Sequence, residues 1–199
     1  HLEGFIDKAT ILSEKVKLLQ SVSRGGHAII PEGVDVSEYE MSASVCTVGC
    51  SSSADVQIET GINKDGFGTL TIGDDCVTLS MLGEHNARNG ALAVVACSFA
   101  RPDVPIKDFM SLLASVDSPK GRLCNSNVCG VTFIDDSYNA NPASMRSALE
   151  LFAVLGGNRK VLVLGDMLEL GDQAHAEHRM LGTAIQKIEA DLVILIGAE

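Results

Sequence analysis

The second half of the chain constrains the fold most strongly, because continuous apolar strands alternate there with helical patterns. Strands are predicted at residues 131–134, 161–164 and 192–196, and helices at residues 142–155 and 174–188. Strands that are apolar throughout and separated by helices are typical of a parallel sheet covered on both faces. The sequence therefore predicts an α/β fold for this half of the chain.

The first half mixes helices with shorter strands, and a break separates it from the second half. Helical spacing covers residues 8–22, 86–99 and 106–116, while strands are predicted at the following positions: 28–30, 45–49, 56–58, 67–72 and 76–82. Gly73-Asp74-Asp75 between the last two strands indicates a hairpin. Ser118-Pro119-Lys120-Gly121 breaks the pattern, so we predict two domains, 1–121 and 122–199.

Charge and cysteine usage exclude several classes of function. The 199 residues contain 15 Lys and Arg against 26 Asp and Glu, a net charge of −11, which argues against nucleic-acid or anionic-membrane binding. No apolar run reaches the roughly 18 residues that a membrane span needs, and the opening residues do not resemble a signal peptide. The six cysteines lack the tight spacing of zinc sites, so we expect free thiols and a cytoplasmic protein.

Two further observations concern the sequence as a whole. The chain does not begin with Met and stops just after a predicted strand, so we expect a piece of a longer protein. It contains no G-x-x-x-x-G-K-[ST] motif, and therefore no Walker-type phosphate loop.

Two predicted strand ends carry aspartates that could face a ligand. Asp135-Asp136-Ser137-Tyr138-Asn139-Ala140-Asn141-Pro142 follows one strand, and Gly165-Asp166-Met167-Leu168-Glu169-Leu170-Gly171 follows the next. Asn141 is a good N-cap and Pro142 fits the first helical position, which explains only the end of the first segment. Ligands bind beyond the carboxyl ends of strands in open α/β sheets, where an aspartate can accept hydrogen bonds from ribose.

Other polar residues have both structural and functional interpretations. Asn86 and Asn89 share one face of a helix start and suit the edge of an adenine, although Asn86 could simply be a helix cap. Arg122 could bind phosphate or be a solvated linker residue. His175 and His178 have no apparent third metal ligand, so surface or capping roles are favoured for them.

Taken together, these segments resemble the Mur ligase family. The resemblance rests on residues 135–142 and 165–171 with His178 and Gly182, on the opening His-Leu-Glu-Gly-Phe, on Gly-x-His-Asn-x-x-Asn at 83–89, and on Lys-Gly-Arg at 120–122. It implies the latter part of a central P-loop-type ATPase domain followed by a truncated Rossmann-like C-terminal domain. One departure is Gly90, which stands where the family has alanine and weakens the helix start.

The resemblance also implies roles for individual residues. His1 matches a histidine that binds Mg²⁺, and Lys15 matches a lysine that becomes carbamylated and helps to hold a second Mg²⁺. Arg122 matches a hinge arginine that reaches the ATP phosphates. The remaining matches concern the ATP nucleoside and its surroundings: Asn86, Asn89, Asp136, Ser137, Tyr138 and Asn139. Asn89 is expected at the adenine edge and Asp136 at the ribose.

The implied reaction is the ATP-dependent ligation of D-alanyl-D-alanine to a UDP-N-acetylmuramoyl-tripeptide through an acyl phosphate. We expect a monomer, and we expect these 199 residues to be inactive alone because they lack the phosphate loop. Two alternatives stay open: a non-catalytic binding module derived from a Mur ligase, and a Mur-type ligase for another amino acid.

Overall fold

The structure, a computed structural model, describes residues 8–198. The chain folds into two compact units. The first unit comprises residues 8–63 and 67–117, and the second comprises residues 118–198 together with the short segment 64–66. The division after Asp117 falls beside the break at Ser118-Pro119-Lys120-Gly121, and the ligase-domain limits drawn at 121/122 stay a prediction. No helix in the described part of the chain is long and apolar enough to cross a membrane.

Five strands form the sheet of the first unit, and each was predicted from the sequence. They are β1 (His27–Pro31), β2 (Ser44–Gly49), β3 (Val56–Ile62), β4 (Phe67–Ile72) and β5 (Asp75–Leu82), in that spatial order. The pairs β1/β2 and β2/β3 are parallel, whereas β3/β4 and β4/β5 are antiparallel. The predicted hairpin is present, but Ile72 pairs with Asp75, so its turn consists of Gly73 and Asp74 alone, with Gly73 at φ 61°.

Three helices complete the first unit: α1 (Lys8–Gln20), α2 (Glu84–Ala100) and α3 (Ile106–Leu112), the last extended by a 3₁₀ turn over Leu113–Ser115. The core joins α2 to the sheet through small residues, among them Ala87 and Ala91, both fully buried. Gly90 belongs to the same face, and a Cβ there would lie 3.1 Å from Leu113 Cδ1. The glycine therefore makes room for Leu113, which gives the departure at this position a packing reason.

The start of α2 corrects one prediction. The helix begins at Glu84 rather than Asn86, and Gly83 occupies the N-cap position with φ 86° and no side-chain cap. Asn86 lies inside the helix, where its Nδ2 donates to the Leu82 carbonyl at 2.8 Å. The interpretation of Asn86 as the N-cap is therefore wrong.

The second unit contains a hairpin and a parallel strand pair. The hairpin consists of β6 (Cys124–Val128) and β7 (Val131–Asp135), and Cys129 and Gly130 at its turn both have positive φ, as a type I′ turn requires. The parallel pair consists of β8 (Val161–Gly165) and β9 (Leu192–Ile196). The sequence pattern missed β6, because Cys-Asn-Ser-Asn-Val is mostly polar.

Two helices, α4 (Pro142–Val154) and α5 (Ala174–Ile185), pack with β8 and β9 around five buried residues: Leu149, Leu162, Met167, Leu170 and Leu181. The α/β class is confirmed. The predicted single parallel sheet is not present among the described residues, because β7 pairs with β6 and only β8 and β9 are parallel neighbours. The other face of β8 and β9 is apolar and exposed within residues 8–198, so the pair is covered on one face only.

Candidate functional site

The loop after β7 holds its aspartates in fixed orientations. Asp136 Oδ1 accepts a hydrogen bond from the Leu123 N–H at 3.2 Å, and Asp135 Oδ1 accepts one from the Ser137 N–H at 3.0 Å. Hydrogen bonds from the Ser137 side chain and backbone, with the charge of Lys120, hold the pKa of the Asp135 carboxyl below its ordinary value. Both carboxylates therefore lie beside the end of β7, where the sequence predicted them.

The segment that contains Gly121 and Arg122 contacts the same loop. The Tyr138 N–H donates to the Gly121 carbonyl at 3.1 Å, and the guanidinium carbon of Arg122 lies 4.2 Å from the centre of the Tyr138 ring. Gly121 has φ 71°, and a Cβ there would come within 2.9 Å of the Tyr138 nitrogen. The structure thus brings together Arg122 and Asp136, which the sequence predicted at the ATP phosphates and ribose.

A pocket of about 170 Å³ opens beside this loop. Its lining comes from the two strand-end segments, namely Asn139, Ala140, Asn141, Pro142, Leu168, Glu169 and Leu170. Asn141 caps α4 as predicted, since its Oδ1 accepts hydrogen bonds from the N–H groups of Ala143 and Ser144, both at 3.0 Å. Asn139, a predicted site residue, therefore lies on the wall of this pocket.

The aspartate after β8 has a structural partner. Asp166 Oδ2 accepts from the Ala198 N–H at 2.8 Å, just beyond the end of β9. Gly197 permits this approach, because a Cβ there would overlap the Asp166 carboxylate. Asp166 thus ties the ends of β8 and β9 together, which explains its position without a ligand.

His178 also has a structural role. Its Nε2 accepts from the buried Met167 N–H at 3.0 Å, which leaves Nδ1 as the donor to the Ala174 carbonyl at 2.8 Å. Within the described residues, no group of three or more His, Cys, Asp or Glu side chains could hold a metal ion. The surface or capping role favoured for His178 is therefore corrected: His178 lies inside α5, whose N-cap position is Gln173, and its ring joins the loop after β8 to the helix.

The adenine-edge candidates lie at the start of α2 in the first unit. Asn89 is exposed one helical turn from Asn86. Nearby, Glu84 Oε1 accepts from Thr60 Oγ1 and from an Arg88 nitrogen, each at 2.7 Å. Burial raises the pKa of Glu84, but these hydrogen bonds and the charge of Arg88 outweigh it, so the pKa lies below its ordinary value.

Lys15 is exposed on α1, and His1 lies outside the described residues. The predicted metal ligands His1 and Lys15 are thus not assembled by the described part of the chain.

The sequence did not predict two residues that contact the carboxylates of Asp136 and Glu84. Leu123 is buried at φ 50°, and its N–H orients Asp136. Thr60 meets Glu84 from 24 positions away. The local sequence indicates neither contact, because nothing near Leu123 or Thr60 in the chain distinguishes it from any other leucine or strand threonine.

Known proteins resemble the chain along its whole length. Residues 121–199 match a family model described as Mur ligase, glutamate ligase domain. Two curated relatives are UDP-N-acetylmuramoyl-tripeptide–D-alanyl-D-alanine ligases, from Haemophilus influenzae and Escherichia coli. Each is 30% identical to this chain over 100% of it, and the chain spans 44% and 46% of their respective lengths.

A solved structure agrees with these relatives. The crystal structure of MurF from Acinetobacter baumannii superposes with a TM-score of 0.82 at 30% identity, and the match covers 100% of this chain and 44% of that one. The fold and the sequence matches point to the same family. The chain belongs to the Mur ligase family.

Proposed function

We propose that this chain contributes nucleotide-binding and hinge residues to an ATP-dependent ligase that joins D-alanyl-D-alanine to a UDP-N-acetylmuramoyl-tripeptide. The observation that carries the proposal is the fastening of the Arg122 segment to the Asp136 loop. An arginine fork suits the phosphates of a nucleotide, and an oriented carboxylate near a strand end suits its ribose. The names of the two curated relatives describe ligases of a UDP-N-acetylmuramoyl-tripeptide and D-alanyl-D-alanine.

Each nucleotide contact has a physical basis in the side chain proposed for it. The Asp136 carboxylate accepts hydrogen bonds from ribose hydroxyls, and the Arg122 guanidinium donates to phosphate oxygens. Asn89, with Asn86 beside it, offers both a donor and an acceptor to an adenine edge. Ser137, Tyr138 and Asn139 border the same site.

When bound, ATP supplies the phosphoryl group that turns the tripeptide carboxylate into an acyl phosphate. The amine of D-alanyl-D-alanine then attacks the acyl carbon, a carbon–nitrogen bond forms and phosphate leaves. Arg122 stabilises the negative charge that spreads over the phosphoryl oxygens during transfer.

Magnesium belongs to the proposal only through His1 and Lys15. Carbamylation would give Lys15 a carboxylate-like oxygen ligand, which Mg²⁺ prefers, and Lys15 is exposed to receive it. Because the described residues do not by themselves assemble a metal site, no step is assigned to the ion. We also propose that the protein works as a monomer in the cytoplasm, which sedimentation and fractionation would test.

The direct test is ADP release by the full-length gene product with UDP-N-acetylmuramoyl-tripeptide and one amine at a time. We expect turnover with D-alanyl-D-alanine and little with meso-diaminopimelate or lysine. Arg122→Ala and Asp136→Asn are expected to lower kcat/KM for ATP by at least about tenfold, the loss of one charge-assisted hydrogen bond. The matched controls Arg179→Ala and Asp172→Asn, exposed residues of the same unit, should stay close to wild type.

Three outcomes would contradict the proposal. Turnover with another amine alone would favour a Mur-type ligase for that amino acid. No turnover with any amine would favour a binding module. Ligation by the 199 residues alone would overturn the expected need for a phosphate loop, a motif that their sequence lacks.

A further inference from the structure

The backbone on both sides of Arg122 is tied to one loop. The Gly121 carbonyl accepts from the Tyr138 N–H, and the Leu123 N–H donates to Asp136 Oδ1. Gly121 and Leu123 both have positive φ, 71° and 50°. A buried leucine in that conformation persists only where its surroundings impose it. Arg122 is therefore presented at a fixed place by strained neighbours.

The side chain of Arg122 is placed by a ring rather than by a carboxylate. Within residues 8–198 no acidic side chain forms an ion pair with Arg122, and its guanidinium lies over the Tyr138 ring. A carboxylate partner would neutralise the cation and occupy its donors. An aromatic face restricts the long side chain but leaves the charge and the in-plane N–H groups for a phosphate.

We propose that Tyr138 is a positioning residue whose ring holds the Arg122 guanidinium ready for a nucleotide phosphate. The proposal rests on the proposed function and deepens it, because it moves Tyr138 from nucleotide contact to orientation of the phosphate ligand. The ring face provides the orientation, and the phenol hydroxyl is not needed. An exposed cation–π contact changes an equilibrium constant by a factor of about two to five.

Two substitutions separate the ring from the hydroxyl. Tyr138→Phe keeps the ring, Tyr138→Leu removes it, and both keep the N–H that binds Gly121. In the full-length protein, we expect Tyr138→Leu to weaken ATP binding about two- to fivefold with AMP binding unchanged, since only the outer phosphates need Arg122. Tyr138→Phe should stay close to wild type for both nucleotides.

A double-mutant cycle shows whether Tyr138 acts through Arg122. In an Arg122→Gln background, Tyr138→Leu should have no further effect on ATP binding. The control Phe152→Leu removes the ring under Lys160, another cation–π pair of this unit, and should leave the ratio of ATP to AMP affinity unchanged. The proposal would be overturned if Tyr138→Leu lowered the ATP affinity equally with and without Arg122. It would also be overturned if Tyr138→Phe bound ATP as weakly as Tyr138→Leu.

A measurement without nucleotide separates this inference from the proposed function. In the NMR spectrum of the 199-residue chain, the ring current of Tyr138 should shift the Arg122 side-chain protons upfield. The shift should persist in Tyr138→Phe and vanish in Tyr138→Leu. A shift that is absent from the wild-type chain would overturn the stacking, whereas a ligase assay without turnover would overturn the proposed function alone.

Discussion

His175 and His178 lie three residues apart on α5, yet their surroundings give them different roles. His175 is exposed, whereas His178 bridges the Met167 N–H and the Ala174 carbonyl. Met167 is only 2% exposed, so its N–H depends on the imidazole for a partner. The same residue type is thus a surface group at one position and a structural tie at the other.

His178→Phe should lower the free energy of unfolding of the 199-residue chain by about 1–3 kcal/mol, because it leaves a buried N–H without an acceptor while roughly keeping the volume. His175→Phe is the matched control and should change it by less than about 0.5 kcal/mol. Urea unfolding followed by circular dichroism measures both. Equal effects of the two variants would refute the structural role of His178.

The Asp135 carboxyl should titrate below its ordinary value, because it accepts hydrogen bonds from Ser137. A lowered pKa in the folded state means that the contact stabilises the fold above pH 3.8 and ceases to do so as the pH falls through the lowered pKa. Ser137→Ala should raise the pKa of Asp135 only part of the way to its ordinary value. The variant removes the hydroxyl hydrogen bond but keeps the one from the backbone N–H. Carboxyl ¹³C NMR titration measures this, with Ser126→Ala as the control that should leave it unchanged.

At the scale of secondary-structure elements, the turn before β6 supplies the residues that contact the loop after β7. The turn places Arg122 against the loop after β7, and Gly121 is its sterically critical residue. Two features constrain Gly121: its positive φ and the 2.9 Å that would separate a Cβ from the Tyr138 nitrogen. Gly130 in the hairpin turn shares only the positive φ, of 81°, with nothing within 4 Å of a Cβ.

Gly121→Ala should therefore destabilise the chain more than Gly130→Ala. The left-handed backbone should lower the free energy of unfolding by about 1–2 kcal/mol in both variants. A further decrease is expected only in Gly121→Ala. Thermal and urea unfolding of the two variants provide the comparison. Equal decreases in the free energy of unfolding would show that the close approach of Gly121 to Tyr138 does not affect stability.

At the scale of the whole molecule, all six cysteines lie within the described residues, and each is a free thiol there. Cys46 alone is fully buried, in the core between the sheet and α2, whereas Cys124 is partly buried and the other four are exposed. Burial, followed by the charge of Asp55, raises the pKa of the Cys46 thiol. Access and acidity therefore both disfavour reaction at Cys46 while the first unit is folded.

A disulfide reagent should consequently modify the four exposed thiols of the native chain quickly and Cys46 only after unfolding. Higher pH should speed the modification of the four exposed thiols but should not make Cys46 accessible. In Cys46→Ala the number of thiols modified in denaturant should fall by one. The number modified in the native chain should be unchanged. Fast native modification of Cys46, located by mass spectrometry of the labelled peptides, would contradict its burial.

The sequence by itself determined the family and every helix and strand of the element pattern except β6. All five strands of the first unit, the helices and the Asn141 cap follow from local periodicity and turn chemistry, which act over a few residues. The roles of Arg122 at the ATP phosphates and of Asp136 at the ribose came from the resemblance and stay predictions.

Only the tertiary structure decided what these residues contact. No local rule distinguishes Asp136, oriented by the Leu123 N–H, from Asp166, which joins β8 to β9. Nor does any pattern predict that Tyr138 lies under Arg122. Hydrogen bonds and ring contacts between distant segments depend on where the backbone brings their atoms, and spacing along the chain does not contain that information.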